Sequence, residues 1–280
     1  MTTNEKILDF KDYKFLLDDI EQKLKDYIVK NFDIKDDNIN LKYIHTSKVK
    51  QANDIICESL NLEPRDFYLS GLIALFHDYS RFEQFKTYST YSDLKSIDHA
   101  NLAVQRLFDE GEFNNFVDNV SSEEKSLIYK AIKNHNKFTM DPDLTERELL
   151  FCNIIRDADK LDIFRILCED PQCCDIEKGK LTEEELENFY NHKLYKKTTN
   201  VNFYNRALLH FSMIYDLNFK ISFEIMFKEQ YLKKYFYSLV LWANFKIGKK
   251  LMNCFDYIQD YIKEKIEDWN INKPFCDKTH

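Results

Sequence analysis

Glycine and proline are nearly missing from this chain, with four of each in 280 residues. Folds made of many tight turns draw on glycine for positive φ and on proline for turn corners, and phosphate-cradling loops need several glycines together. Supply excludes both, and long helices with short polar connections are what remains. No run of about 18 apolar residues occurs, so no membrane span is expected. The start, MTTNEKILDFKDYKF, has no basic stretch leading into an apolar one, so no secretory signal is expected. Paired cysteine spacing is absent as well. Cys57, Cys152, Cys168, Cys173, Cys174, Cys254 and Cys276 are odd in number and form no C-x-x-C zinc framework. They read as reduced, packed thiols, which points to the cytoplasm. Positive charge is in deficit too. A net charge of −8 repels a long polyanion, so no long nucleic acid is expected as partner. A small phosphorylated substrate is compatible, because a metal site sets its own local potential.

What is present is helical periodicity. With 23 Phe and 17 Tyr the chain can fill a large core. Phe15, Leu16, Ile20, Leu24 and Ile28 recur at spacings of mainly three and four, which predicts an amphipathic helix over 12–31. A polar connection at 32–40, a helix over 41–60 and a third from Pro64 to about 80 follow, then a loop over 81–95 rich in Tyr, Ser and Thr. Ser121 with Glu124, Thr145 with Glu148 and Thr182 with Glu185 are capping boxes that open further helices, and Ser96 opens another. Residues 200–270 are again helical and aromatic, ending in the polar tail NKPFCDKTH. The stripe at 211–227 reads as core, and TEEELE at 182–187 as a solvated helix start. No repeat, linker or boundary is visible, so one all-α domain over 1–280 is expected.

Four of the seven histidines share a property. His45 lines up with Val49, Ala52 and Ile56; His77 with Ile73; His99 with Leu102 and Ala103; His135 with Ile128 and Ala131. Asp78 aligns with Gly71 and Ala74, and Asp157 with Leu150, Ile154 and Leu161. One inward histidine is ordinarily a hydrogen-bonded core residue. Four with two inward carboxylates would each need a separate polar partner in an apolar interior. One or two divalent ions satisfy all six together. Successive intervals of 32, 22, 36 and 22 residues equal one or two helix-plus-turn lengths, so the side chains can return to one point in an antiparallel bundle. His77 and Asp78 are adjacent, about 100° apart around a helix, and can address two neighbouring ions with the carboxylate between them.

The contexts YIHTSKV, LIALFHDYSRFEQF and IIRDADKLDI resemble the H…HD…D signature of the HD-domain superfamily of metal-dependent phosphohydrolases. His99 in SIDHANLAV and His135 in AIKNHNKF fall where the two-metal members carry extra histidines. Tyr79–Ser80 departs from the Ile–Gly that many members have after HD. The resemblance covers about 41–165 and implies a compact helical HD-domain core, with 166–280 as a C-terminal helical extension. It implies a first ion on His45, His77, Asp78 and Asp157, and a second on His99, His135 and the bridging, catalytic Asp78. The two divalent ions (Mn, Fe, Co, Ni, Zn or Mg) would hold a bridging hydroxide that attacks phosphorus in a small phosphoester such as a nucleotide.

Arg81 lies four residues after His77 and Lys160 three after Asp157, so each can bind a substrate phosphate oxygen. Surface ion pairs, to Glu83 or Asp159 for example, are the plainer reading of both. His192, His210 and His280 have no assigned role. Two other functions use the same residues: a mixed-valent di-iron oxygenase with this ligand set, and a non-catalytic module that senses nucleotide.

Overall fold

The structure, a computed structural model, describes residues 8–171, 179–196 and 202–271. Cys173, Cys174, Cys276, His280 and the tail from 272 to 280 lie outside them. Regular elements among the described residues are all helical, with no strand. None of these helices is long and apolar enough to cross a membrane. Cys57, Cys152 and Cys254 are buried free thiols, and burial pushes the Cys57 thiol up to about 12.

The chain divides into two compact units, Met1–Asp159 and Lys160–His280. In the first, α3 (Pro64–Phe76) is the central element. Its residues from Phe67 to Phe76 are all buried, as expected of a helix that is apolar all round. It packs against α1 (Phe10–Asn31), α2 (Asp37–Ser59) and α6 (Ser122–Asn134). Gly71 makes room for α1, since a Cβ there would lie 2.6 Å from Leu17 Cδ1. α1 buries Leu17, Ile20, Leu24 and Ile28, one stripe at helical spacing, and leaves Phe15 exposed.

Local differences from the sequence expectations have local causes. α2 begins at Asp37 because the Asp36 side chain accepts the Asn38 and Ile39 N–H groups, so the connection stops at Asp36. α3 ends at Phe76, where i→i+3 bonds from Tyr79 N to Phe76 O and from Arg81 N to Asp78 O turn the chain. The expected loop over 81–95 is largely helix. α4 (Arg81–Tyr88) forms because Phe82 and Gln84 are buried, and a 3₁₀ turn follows at Asp93–Lys95. α5 (His99–Val104) is capped by Asp98 rather than Ser96, with Asp98 accepting the Asn101 N–H. Ser96 instead accepts from Gln84 Nε2. The boxes at Ser121 and Thr145 open α6 and α7 (Glu146–Glu169) as expected.

The second unit takes the remainder of α7 from Lys160. It adds α8 (Glu183–Tyr190), α9 (Phe203–Ser212), α10 (Lys220–Lys228), α11 (Tyr231–Trp242) and α12 (Lys249–Ile271). Phe164, Phe189, Phe203, Phe211, Phe223 and Tyr235 form its fully buried aromatic core; of the stripe at 211–227, Phe211, Ile214, Phe223 and Met226 are interior packing, while Phe227 is exposed. Thr182 caps α8 with its acidic first turn. His210 Nδ1 meets the Tyr235 hydroxyl at 2.6 Å within that core.

Candidate metal centre

Three of the four histidines sit at helix ends. His77 follows α3, His99 is the first residue of α5, and His135 follows α6. His45 lies within α2, fully buried. Ser80 Oγ donates to the His99 carbonyl at 2.6 Å, which ties the turn carrying His77 and Asp78 to the start of α5. Arg156 Nη1 donates to the carbonyls of Asn134, His135 and Lys137, at 3.1, 3.2 and 2.7 Å, and so clamps the end of α6.

Asp78 stands at the middle of the cluster. Its Oδ2 lies 3.4 Å from His45 Nε2 and 3.7 Å from His77 Nε2. Its Oδ1 lies 3.3 Å from His99 Nε2 and 3.8 Å from His135 Nε2. One carboxylate therefore offers one oxygen to each of two histidine pairs. The ligand atoms of His45, His77 and Asp78 lie within 4.8 Å of one another, and so do those of Asp78, His99 and His135. Either buried group can hold a metal ion.

Tautomers follow from the outer contacts. His77 Nδ1 lies 2.8 Å from the Ala74 carbonyl and His135 Nδ1 lies 2.7 Å from that of Ile132. A carbonyl can only accept, so each Nδ1 carries the proton and each Nε2 keeps its lone pair. His99 Nδ1 lies 2.7 Å from Asp93 Oδ2, with the same result. His77 Nε2 is then a buried lone pair with no hydrogen-bond partner among the described residues. The Nε2 atoms of His99 and His135 face each other at 2.9 Å. Two lone pairs at that distance repel unless a cation is near, and buried polar atoms are seldom left unsatisfied.

Charge states fit the same chemistry. Burial above all depresses the basicity of His77, His99 and His135, aided at His99 by the charge of Arg81, so all three are neutral. Burial alone would raise Asp78, but the charges of Lys42 and Arg81 hold it well below the usual carboxylate range. Burial is likewise outweighed at Asp159, first by the His45 hydrogen bond, and its carboxyl stays below the usual carboxylate range. Neutral imidazoles with ionised carboxylates are the donor set that a divalent transition metal prefers.

Five of the six proposed ligands, His45, His77, Asp78, His99 and His135, come together. Asp157 is the sixth. It is fully buried on α7, two positions before Asp159 and so about 200° around the helix from it. Asp159 also reaches the histidines: its Oδ1 lies 3.2 Å from His45 Nε2 and 3.9 Å from His77 Nε2. Arg81 faces inward: its Nε donates to Asp78 Oδ1 at 3.3 Å, and its Nη1 to Asp93 Oδ1 at 3.0 Å and the Tyr91 carbonyl at 2.7 Å. Lys160 pairs with Asp216 of its own unit at 2.6 Å.

Sequence reasoning missed Lys42, Asp93, Arg156 and Asp159. Lys42 Nζ donates to Asp78 Oδ2 at 2.7 Å. Its position three residues before His45, on the same helix face, was the available signal. Asp93 had no signal beyond its acidity in a polar stretch. Comparison of the chain with protein-family models, with curated proteins and with solved structures gives no match.

Proposed function

We propose that this protein is a metal-dependent phosphohydrolase of the HD type, acting on a small phosphoester such as a nucleotide. The observation that carries the reading is the Asp78 carboxylate set between two pairs of buried histidines, with Oδ2 toward His45 and His77 and Oδ1 toward His99 and His135. In this reading His45, His77, Asp78 and Asp159 hold one divalent ion, and Asp78, His99 and His135 a second. Ions bound there would supply Lewis acidity, neutralising charge on phosphoryl oxygens and making a nearby water more acidic. Asp78 and Asp159 stay ionised to hold them, and the imidazoles present Nε2. Arg81 and Lys42 flank Asp78, with Arg81 offering a planar fork and Lys42 a point charge to phosphate oxygens. Both also lie over the Tyr91 ring, at 5.9 and 5.6 Å from its centroid, so one aromatic wall sets where the two cations stand. Asp78 is the catalytic residue of this assignment. Lys160, held by Asp216, has no part in it. Buried free thiols fit a reducing, cytoplasmic setting.

The test is to strip the protein of metal, reload it with Mn²⁺, Fe²⁺, Co²⁺, Ni²⁺ or Mg²⁺, and screen phosphorylated metabolites for phosphate release. Turnover that depends on metal supports the reading. The observation that favours the di-iron oxygenase is the count of four imidazoles, a ligand set that suits iron. Oxygen uptake by the Fe²⁺ form without phosphate release would decide for it. Nucleotide binding with no turnover under any metal would identify a sensing module.

A further inference from the structure

His77, His99 and His135 are not alike in what backs the outer nitrogen. His77 and His135 are backed by neutral main-chain carbonyls, and His99 by a carboxylate, Asp93. Asp93 accepts four donors in two pairs. Its Oδ1 takes Arg81 Nη1 and Gln84 Nε2, each at 3.0 Å. Its Oδ2 takes His99 Nδ1 at 2.7 Å and Asn136 Nδ2 at 3.2 Å. Asp98 also lies close enough for Asp93, Asp98 and His99 to form a metal-capable group. The Asp93 oxygens are already occupied by hydrogen bonds, and His99 Nδ1 carries a proton in this arrangement, so an ion there would have to break all of it. A carboxylate behind a ligating imidazole fixes its tautomer and raises its basicity as a donor.

We propose that Asp93 is the positioning residue of the His99–His135 ion: it locks His99 as the Nδ1–H tautomer and strengthens that ion selectively. The inference rests on the metal reading above. The alternative is that Asp93 only fastens the turn at 93–95 to α4 and α5.

The two roles predict opposite rankings of two substitutions. An asparagine carries one accepting oxygen and one NH₂, so it can serve only one of the two donor pairs. The Arg81 guanidinium, being charged, claims the oxygen. The NH₂ then faces His99 Nδ1, which must accept, and the His99 proton moves to Nε2, the atom needed for the ion. Wrong-tautomer loss of this kind follows when a histidine's carboxylate partner becomes an amide. Asp93→Ala leaves Nδ1 to water and imposes no tautomer. If Asp93 selects the tautomer, Asp93→Asn weakens metal binding at least as much as Asp93→Ala, although it is the gentler change to the fold. A fastening role gives the reverse order.

The experiment has two arms on the full chain. ¹⁵N NMR of the histidine rings in metal-free wild type and Asp93→Asn reads the tautomer directly. The expected result is Nδ1–H at His99 in wild type and Nε2–H in the variant. Mn²⁺ titration of wild type, Asp93→Asn and Asp93→Ala reads the ions one by one. One binding step should weaken by about 10- to 100-fold in both variants, with Asp93→Asn no better than Asp93→Ala, and the other step should stay unchanged. Two intact steps in the variants, equal loss of both steps, or an unchanged His99 tautomer in Asp93→Asn overturns the inference alone. A wild type that takes up no ion overturns the metal reading, and the selective strengthening with it.

Discussion

Replacing Asp78 by Asn removes a charge and almost no volume. In the metal-free protein this carboxylate accepts Lys42 Nζ at 2.7 Å and Arg81 Nε at 3.3 Å, with 4% of its side chain exposed. Breaking a buried ion pair from one side costs about 3–5 kcal/mol, because the remaining charge stays buried. Two features place Asp78→Asn at the lower end of that range. Arg81 keeps Asp93 at 3.0 Å, and the amide keeps one accepting oxygen for Lys42. A loss of about 3 kcal/mol lowers Tm by roughly 6–12 °C, at about 2–4 °C per kcal/mol for a domain of this size. The second effect is on metal. An ion at a hundred times its Kd stabilises the wild type by about 2.7 kcal/mol, and the variant should gain almost nothing, since Asp78 is the carboxylate common to both groups. Thermal unfolding with a chelator and with Mn²⁺, beside metal analysis, reads both effects. A variant that melts with the wild type and still gains stability and a full metal complement from Mn²⁺ would refute the placing of Asp78 at the centre.

Four further outcomes are expected. Asp159→Ala should lose the ion held by His45 and His77, whereas Asp157→Ala should keep its metal and show its effect on stability; metal analysis giving the reverse would restore Asp157 as the ligand. His99→Ala and His135→Ala should each lower the bound metal from two ions to one with the fold intact, and titration of the metal-free proteins checks the count. Gly71→Ala should destabilise by about 1–3 kcal/mol, because the clash with the buried Leu17 at 2.6 Å outweighs the roughly 1 kcal/mol gained in helix propensity; a higher urea midpoint would contradict it. The neutral His77, His99 and His135 have folded pKa values below 6.5, so below about pH 6.5 the unfolded chain binds more protons and folding stability falls with pH. Metal-free Tm followed from neutrality to about pH 5 should drop, and a flat profile would show that these rings are not held neutral.

Much of the site was legible in the sequence, and Asp159 shows where legibility stopped. Inward stripes located His45, His77, Asp78, His99 and His135 because each lies on a helix, or at a helix end, with one apolar face. On α7 nearly every residue from Phe151 to Asp162 is buried, so an inward position distinguishes nothing there. The stripe of Leu150, Ile154 and Leu161, with the motif resemblance of DADKLD, pointed to Asp157. Asp159, whose side chain keeps 17% exposure, is the residue whose Oδ1 comes within 3.2 Å of His45 Nε2. The misread segment at 81–95 has a related cause. RFEQFKTY has only two buried residues, Phe82 and Gln84, and so too short a stripe to stand out. Its Gln84 and the nearby Asp93 work through hydrogen bonds to groups distant in sequence, and no local pattern encodes those.

His77 and His135 share a construction that could be moved to other proteins. Each ring is oriented by a carbonyl three residues earlier in its own chain, Ala74 for His77 and Ile132 for His135. A helix that ends in such a histidine brings its own orienting group with it and needs no second side chain to aim Nε2. Grafting the last turn of α3 or α6 onto a designed bundle should therefore transfer an aimed imidazole, whereas grafting His99 requires its carboxylate to be rebuilt as well.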